Sequence, residues 1–272
     1  MRGRTALLVL PGLAVLLVGF LIPSVAMLFA PPGVSPVEVF ERLGQMLTDP
    51  YDQAIVLRTL GLGLIVTVIC IGLGYPIAYL LSRSTSRWAG VLLALAIFPL
   101  LLSSVVRTFG WLVVLGSQGA IPQLLLRLGL VDTAPQLLYT PLAIVLGLTQ
   151  IFLPLAVVAS YSALAQVDAG LDEAARGLGA NRIRTFWSVV VPLSGPGVVV
   201  AATLVFAGAV TAYTTPYLLG GSRQRMLSTQ LYTYSSTTID WAAASATALI
   251  MTVLVFAVSG LSSLAARRGA TS

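Results

Sequence analysis

Glu173-Ala174-Ala175-Arg176-Gly177-Leu178-Gly179-Ala180-Asn181-Arg182-Ile183-Arg184-Thr185-Phe186-Trp187-Ser188-Val189-Val190-Val191-Pro192 is a charged island in a very apolar chain. Apolar residues fall at Leu171, Ala174, Ala175 and Leu178, the spacing of one face of a short helix. Asp168 is placed to cap its start, and Asp172 and Glu173 sit where the helix dipole favours negative charge. Gly179 supplies the left-handed residue that ends a helix. Asn181 is placed to cap a second helix, and Ile183, Phe186, Trp187 and Val190 repeat the apolar spacing. Pro192 biases the residue before it away from helix. The stretch reads as helix, glycine turn, helix, each half carrying a narrow apolar stripe. Between apolar segments, such a loop is suited to dock another protein.

The surroundings make those segments membrane spans. Of 272 residues, 57% are hydrophobic and only 9% charged, and the mean hydropathy is +0.96. A soluble domain is about a quarter charged. A spanning helix needs about 20 apolar residues. Trimming the uncharged runs to that length predicts an all-α polytopic protein with six spans, about 6–29, 57–81, 88–110, 141–163, 196–218 and 242–265. No segment alternates as a transmembrane barrel strand would. The chain reads as a single membrane domain over 1–272, with the loop at 164–195 between the fourth and fifth spans.

Arginine supplies every cationic side chain, and its distribution sets the expected orientation. With the N-terminus inside, Arg2, Arg4, Arg83, Arg87, Arg176, Arg182, Arg184, Arg267 and Arg268 face the cytoplasm against Asp168, Asp172 and Glu173. The six remaining arginines are balanced by six acids on the other side, so the whole net charge of +6 is internal. Both termini are then expected in the cytoplasm. The basic residues are scattered between spans, which points to topology rather than to nucleic acid. The first apolar run is too long for a signal-peptide core, and Ser24-Val25-Ala26 is a weak cleavage site. The run is expected to be kept as the first span.

Outside the spans, Pro31-Pro32-Gly33 marks a turn before an acidic, partly amphipathic piece from Val37 to Leu47. Ile121, Leu124, Leu125 and Leu128 form a stripe opposite Gln123 and Arg127, as in a short helix lying in the interface. Residues 219–240 read as the last outer loop, with Tyr232, Tyr234 and Trp241 at headgroup level. Pro76, Pro99, Pro154 and Pro216, with Gly61, Gly63, Gly72 and Gly74, lie inside spans. They fit either close packing with ordinary kinks or bends along a pathway.

The residue inventory excludes several chemistries. Without Lys there is no phosphate loop of the G-x-x-x-x-G-K-[ST] type, and without His no Ser-His or Cys-His nucleophile pair. Cys70 is the sole cysteine and falls in the second span, so it forms no internal disulfide and reads as a packing residue. No metal site can be built from one Cys and no His. No acid falls within the six spans, which weighs against an ion-coupled carrier. If transport is active, its energy is expected from another polypeptide, received at the 164–195 loop. A self-sufficient carrier or channel is the competing reading; it predicts transport by this chain alone, indifferent to ATP.

The loop resembles the motif of the membrane subunits of binding-protein-dependent ABC importers: E-A-A, three residues, G, nine residues, I-x-L-P. Here it runs Glu173-Ala174-Ala175, Gly179, then Val189, Val191 and Pro192. Leu73-Gly74-Tyr75-Pro76-Ile77-Ala78-Tyr79, Arg107-Thr108-Phe109-Gly110-Trp111, Leu128-Gly129-Leu130-Val131 and Pro216-Tyr217-Leu218-Leu219-Gly220-Gly221 resemble patterns of the spermidine/putrescine branch. Before the last of these, that branch usually has an acidic or small residue and Phe, where this chain has Thr211-Ala212-Tyr213-Thr214-Thr215. The resemblance implies a type I importer permease fold in a bacterial inner (plasma) membrane. It implies a second permease, expected to be a paralogue, two cytoplasmic ATPases that bind ATP and Mg in place of this chain, and an external solute-binding protein. It assigns ATPase coupling to Glu173, Ala174, Ala175, Gly179, Asn181, Arg182 and Pro192, and no catalytic residue to this chain. The solute is expected to be a polyamine or a related small compound. Tyr75, Tyr79, Thr211, Tyr213, Thr214 and Thr215 are the candidate pathway residues, and interfacial anchoring or helix–helix bonding is the alternative reading for each.

Overall fold

The computed structural model describes residues 11–29, 31–84 and 88–269. Within them the helices are α1 (Pro11–Phe29, with a wide turn at Leu17–Leu21), α2 (Pro36–Thr48), α3 (Pro50–Ser82), α4 (Trp88–Ile97) and α5 (Ser104–Leu115). There follow α6 (Ala120–Arg127), α7 (Pro141–Leu164), α8 (Ala169–Gly177), α9 (Arg182–Thr211), α10 (Leu227–Tyr232) and α11 (Trp241–Gly269). Six helical stretches are long and apolar enough to cross a membrane: Pro11–Phe29, Pro50–Ser82, Ser104–Arg127, Pro141–Leu164, Arg182–Thr211 and Trp241–Leu264. The third of these turns at Gly116 to Gly119, between α5 and α6.

Two compact units share the chain. Of the described residues, those up to Val56 with Leu227–Val253 form one; those of Leu57–Met226 with those from Leu254 form the other. In the first unit, Ser35 and Glu38 cap α2 reciprocally, and Val39 and Met46 bury its apolar face. Thr247 contacts the Met46 sulfur, and the Ser245 hydroxyl donates to the Met27 carbonyl at 2.7 Å.

In the second unit the core lies where α3, α7 and α9 meet. Leu62, Val66 and Cys70 pack with Ile144, Leu148, Ala156, Val205 and Ala209. Cys70 is fully buried there, as its size suggests. The glycines of α3 divide. A Cβ at Gly63 would press on Phe206 and Val210, and one at Gly74 on Ala156 and the Val157 backbone. Gly61 and Gly72 face open space. Gly63 and Gly74 therefore permit close helix approach, the device membrane helices use in place of hydrophobic drive.

Several expected boundaries move. The second span starts at Pro50 rather than 57, which brings Asp52 into its first turn. The expected span 88–110 is interrupted: α4 tightens into a 3₁₀ turn at Phe98–Leu101, and Leu102 is extended. Pro99 sits in that turn, where its missing N–H and fixed φ end regular bonding. The expected span 196–218 begins earlier and ends earlier. It runs unbroken from Arg182 and stops at Ala212, which is extended (ψ 128). A separate helical turn, Pro216–Gly220, follows. The chain thus has no helix end at Pro192. Phe186–Val190 forms a wide turn in which the Val191 N–H reaches back five residues to the Phe186 carbonyl. That widening relieves the clash a proline ring makes with the carbonyl one regular turn before it. Within 164–195 the segment between spanning helices is accordingly only 165–181, with α8 in its middle. Residues 219–240, read as loop, contain α10, whose Leu227 to Gln230 are buried. It is too short to show periodicity.

Candidate functional site

The 165–181 segment is held at three points. At its start, the Asp168 carboxylate accepts from the Gly170 N–H at 2.9 Å, capping α8. At its end, the Gly179 N–H donates to the Arg176 carbonyl (2.9 Å) and the Ala180 N–H to the Ala175 carbonyl (3.1 Å). This is the two-bond closure that needs a left-handed residue, and Gly179 has φ +86°. Asn181 then accepts from the Arg184 N–H at 2.8 Å, starting α9. The residue-by-residue expectation for these caps is met.

The third hold was not visible in the sequence. Asp172 is buried and its carboxylate lies 3.0 Å from Arg83, the residue after the end of α3. Arg83 also donates to the Val167 carbonyl at 3.0 Å. An internal ion pair therefore fastens α8 to α3. Both residues are charged and far apart in sequence, and nothing in their spacing links them.

Around the Gly179 turn, large apolar side chains at the end of the segment and the start of α9 are uncovered. Leu178 is 91% exposed, Ile183 71% and Trp187 65%. Ala174, Gly179, Asn181, Arg182 and Pro192 are exposed, and Ala175 is half-buried. The Glu173 backbone lies in α8; its side chain lies outside the described residues. Pro192 lies apart from the turn, inside α9 rather than in the segment.

The six candidate pathway residues do not form one group. Tyr75 is buried and its hydroxyl bonds Ser194 Oγ at 2.6 Å. Tyr75 and Tyr79 both pack on Phe186, with ring centroids 5.6 and 5.0 Å apart. This places them beside the start of α9, in a cluster with Leu164 and Val190. Thr211, Tyr213, Thr214 and Thr215 surround the break after α9. Thr211 bonds back to the Ala207 carbonyl (2.8 Å), and Tyr213 stacks on Tyr217 at 5.2 Å. Thr215 is buried against Thr108, hydroxyl to hydroxyl at 3.1 Å. Two polar residues near this level carried no signal as a pair: Trp111 donates its indole N–H to Gln150 at 2.8 Å. Trp111 lay in a quoted motif, whereas Gln150 is a lone amide in an apolar run.

Residues 71–269 match the family described as binding-protein-dependent transport system inner membrane component. The spermidine/putrescine transport system permease protein PotB of Escherichia coli (strain K12) is 32% identical over 209 residues, covering 77% of this chain and 76% of that protein. The molybdenum transport system permease protein ModB of Mycobacterium tuberculosis (strain H37Rv) is 30% identical over 223 residues, 81% of this chain and 82% of that one. A chain of the bacterial alginate ABC transporter, solved in complex with an alginate pentasaccharide-bound periplasmic protein, superposes with a TM-score of 0.79. It is 15% identical and covers 97% of this chain and 94% of that one, a likeness of fold. The six apolar helices, the capped helix–glycine–helix segment between two of them and these matches agree: this multi-pass membrane chain belongs to the family of inner membrane components of binding-protein-dependent transport systems.

Proposed function

We propose that this permease couples a small-solute pathway to a separate cytoplasmic ATPase through the segment 165–181. The observation that carries the reading is mechanical. A helix that receives force from another protein must resist bending, and α8 is capped at both ends and ion-paired to α3. The turn that follows it and the start of α9 present Leu178 and Ile183, apolar groups for a partner groove. Ala174 and Ala175 permit close approach, and Glu173, Arg182 and Asn181 supply polar contacts at the rim. ATP and Mg would be bound by two such partner subunits. A second permease, a paralogue in this reading, and an external binding protein would complete the assembly in a bacterial inner membrane, with both termini in the cytoplasm.

The proposed solute is a polyamine or a related compound, from the likeness to PotB. The break at Ala212, flanked by Thr211, Tyr213 and Thr214, is the proposed pathway element, because it interrupts a spanning helix beside an aromatic ring and aromatic faces suit cations. The test is co-reconstitution with the cognate ATPase, the second permease and the binding protein. Uptake of labelled spermidine should require all of them and ATP, and Glu173→Arg should weaken ATPase co-purification without loss of membrane insertion. ATP-independent uptake by this chain alone would sink the coupling reading; ATP-driven uptake of another solute class would sink only the polyamine assignment.

A further inference from the structure

Beside the coupling segment lies a cleft of about 620 Å³ that collects Arg83, Arg176 and Arg182 with Tyr79, Phe186 and Trp187. Asp172 engages Arg83, yet the Arg83 Nη2 group is buried without a hydrogen-bond partner. Among the described residues, no acid lies within ion-pair distance of Arg176 or Arg182. Among the described side chains, three arginines and no acid line the cleft. It shares Pro76, Phe186 and Trp187 with a second hollow, a groove of about 480 Å³ with almost wholly apolar walls including Ile71, Gly72, Val191, Gly195 and Val198. Gly72 and Gly195 have open space where a side chain would stand, which keeps the groove clear. From Arg83 back to Ile71, α3 spans about 18 Å at about 1.5 Å per residue. One leaflet of a hydrocarbon core about 30 Å thick is about 15 Å deep.

We propose that these adjoining hollows bind one anionic phospholipid, its phosphate held by Arg83, Arg176 and Arg182 and one acyl chain lying in the groove against Phe186 and Trp187. The two halves exclude the simpler occupants. A free phosphate satisfies the arginines and leaves the groove unfilled. An apolar helix of another chain fills the groove and leaves the exposed Arg176 and Arg182 without an anionic partner. A lipid with a charged headgroup meets both demands, and arginine forks suit phosphate oxygens. This inference goes beyond the coupling reading and shares Arg182 with it, but it is tested apart from it, because lipid retention is read on this chain without an ATPase.

The test is native mass spectrometry of the full chain extracted from mixed phosphatidylglycerol/phosphatidylcholine bilayers. The wild-type chain should retain phosphatidylglycerol in preference to phosphatidylcholine. Removing two arginines, Arg176→Gln with Arg182→Gln, should cut that preference by roughly 25-fold, about fivefold for each charge near a lipid surface. Gly195→Leu, which fills the groove and suits a helix, should also reduce lipid retention, and it remains informative if the arginine variant does not fold. Equal retention of the two lipids by the wild-type chain would overturn the proposal. So would displacement of phosphatidylglycerol by inorganic phosphate with no effect of Gly195→Leu, the signature of a free-anion site. Cross-linking of a second chain to residues 195 and 198 in the assembled transporter, with no lipid retained, would assign the groove to a protein and overturn it equally.

Discussion

Replacing Asp172 with Asn removes one charge and keeps the shape of the side chain. In the native fold the carboxylate lies 3.0 Å from Arg83, with the two side chains 6% and 17% exposed. Breaking a fully buried pair by deleting one partner costs roughly 3–5 kcal/mol, because the other charge is left uncompensated. Arg83 keeps its bond to the Val167 carbonyl and some contact with solvent. The cost here should therefore be lower, about 2 kcal/mol. That cost falls on one local equilibrium, the opening of α8 from α3. At about 1.4 kcal/mol per decade it is roughly a 30-fold rise in the open population. Hydrogen exchange of the amides of residues 171–177, measured on the full chain in bilayers, should accelerate by that factor, while the core of α7 should not change. The double variant Arg83→Gln/Asp172→Asn should recover part of the loss, since neither charge is then stranded. Unchanged exchange in Asp172→Asn, or strictly additive effects in the double variant, would refute the claim that this pair holds the segment rigid.

Three further outcomes are expected. Gly179→Ala should loosen the same turn by about 1–2 kcal/mol through its left-handed backbone alone, because a Cβ there meets nothing within 4 Å; Gly179→Asn should be milder, and equal exchange rates for the two variants would count against the backbone argument. Asn181→Ala should cost about 1 kcal/mol of α9 stability at its first turn and expose the Arg184 N–H, read as faster exchange at residues 183–185. Gly147→Ala puts a Cβ 2.6 Å from the Thr215 methyl and 2.7 Å from Leu219, so the thermal midpoint in detergent should fall with an overpacking cost of about 1–3 kcal/mol, whereas Gly61→Ala, with open space, should leave it unchanged.

Hydropathy alone was sufficient to read the number of spans, because about 20 consecutive apolar residues have few other places to go. Helix ends with a side-chain device were equally legible. Asp168, Gly179 and Asn181 act through bonds to neighbours one to four residues away, so their roles are written locally. The breaks inside spans were less legible. Pro76 and Pro154 lie within continuous helices, while Pro99 and Pro216 sit where regular helix gives way, and the residue type is the same. Pro192, expected to bias the residue before it away from helix, is absorbed by a wide turn. A proline's missing bond can be made good by its surroundings, and those are tertiary.

Pathway candidates chosen for being polar or aromatic fell into two groups for the same reason. Tyr75 finds Ser194, 119 residues away, and Thr215 finds Thr108, 107 residues away. Composition marked these side chains as unusual and could not name their partners. By itself the sequence determined the membrane character, the number of spans, the family motif and the caps of the coupling segment, all set by runs or by contacts within a turn or two. Only the tertiary structure decided which glycines pack, that Arg83 and Asp172 join α3 to α8, and that three arginines line a cleft adjoining an apolar groove. Those are meetings of residues from tens to more than a hundred positions apart, fixed by how the helices cross rather than by any local pattern.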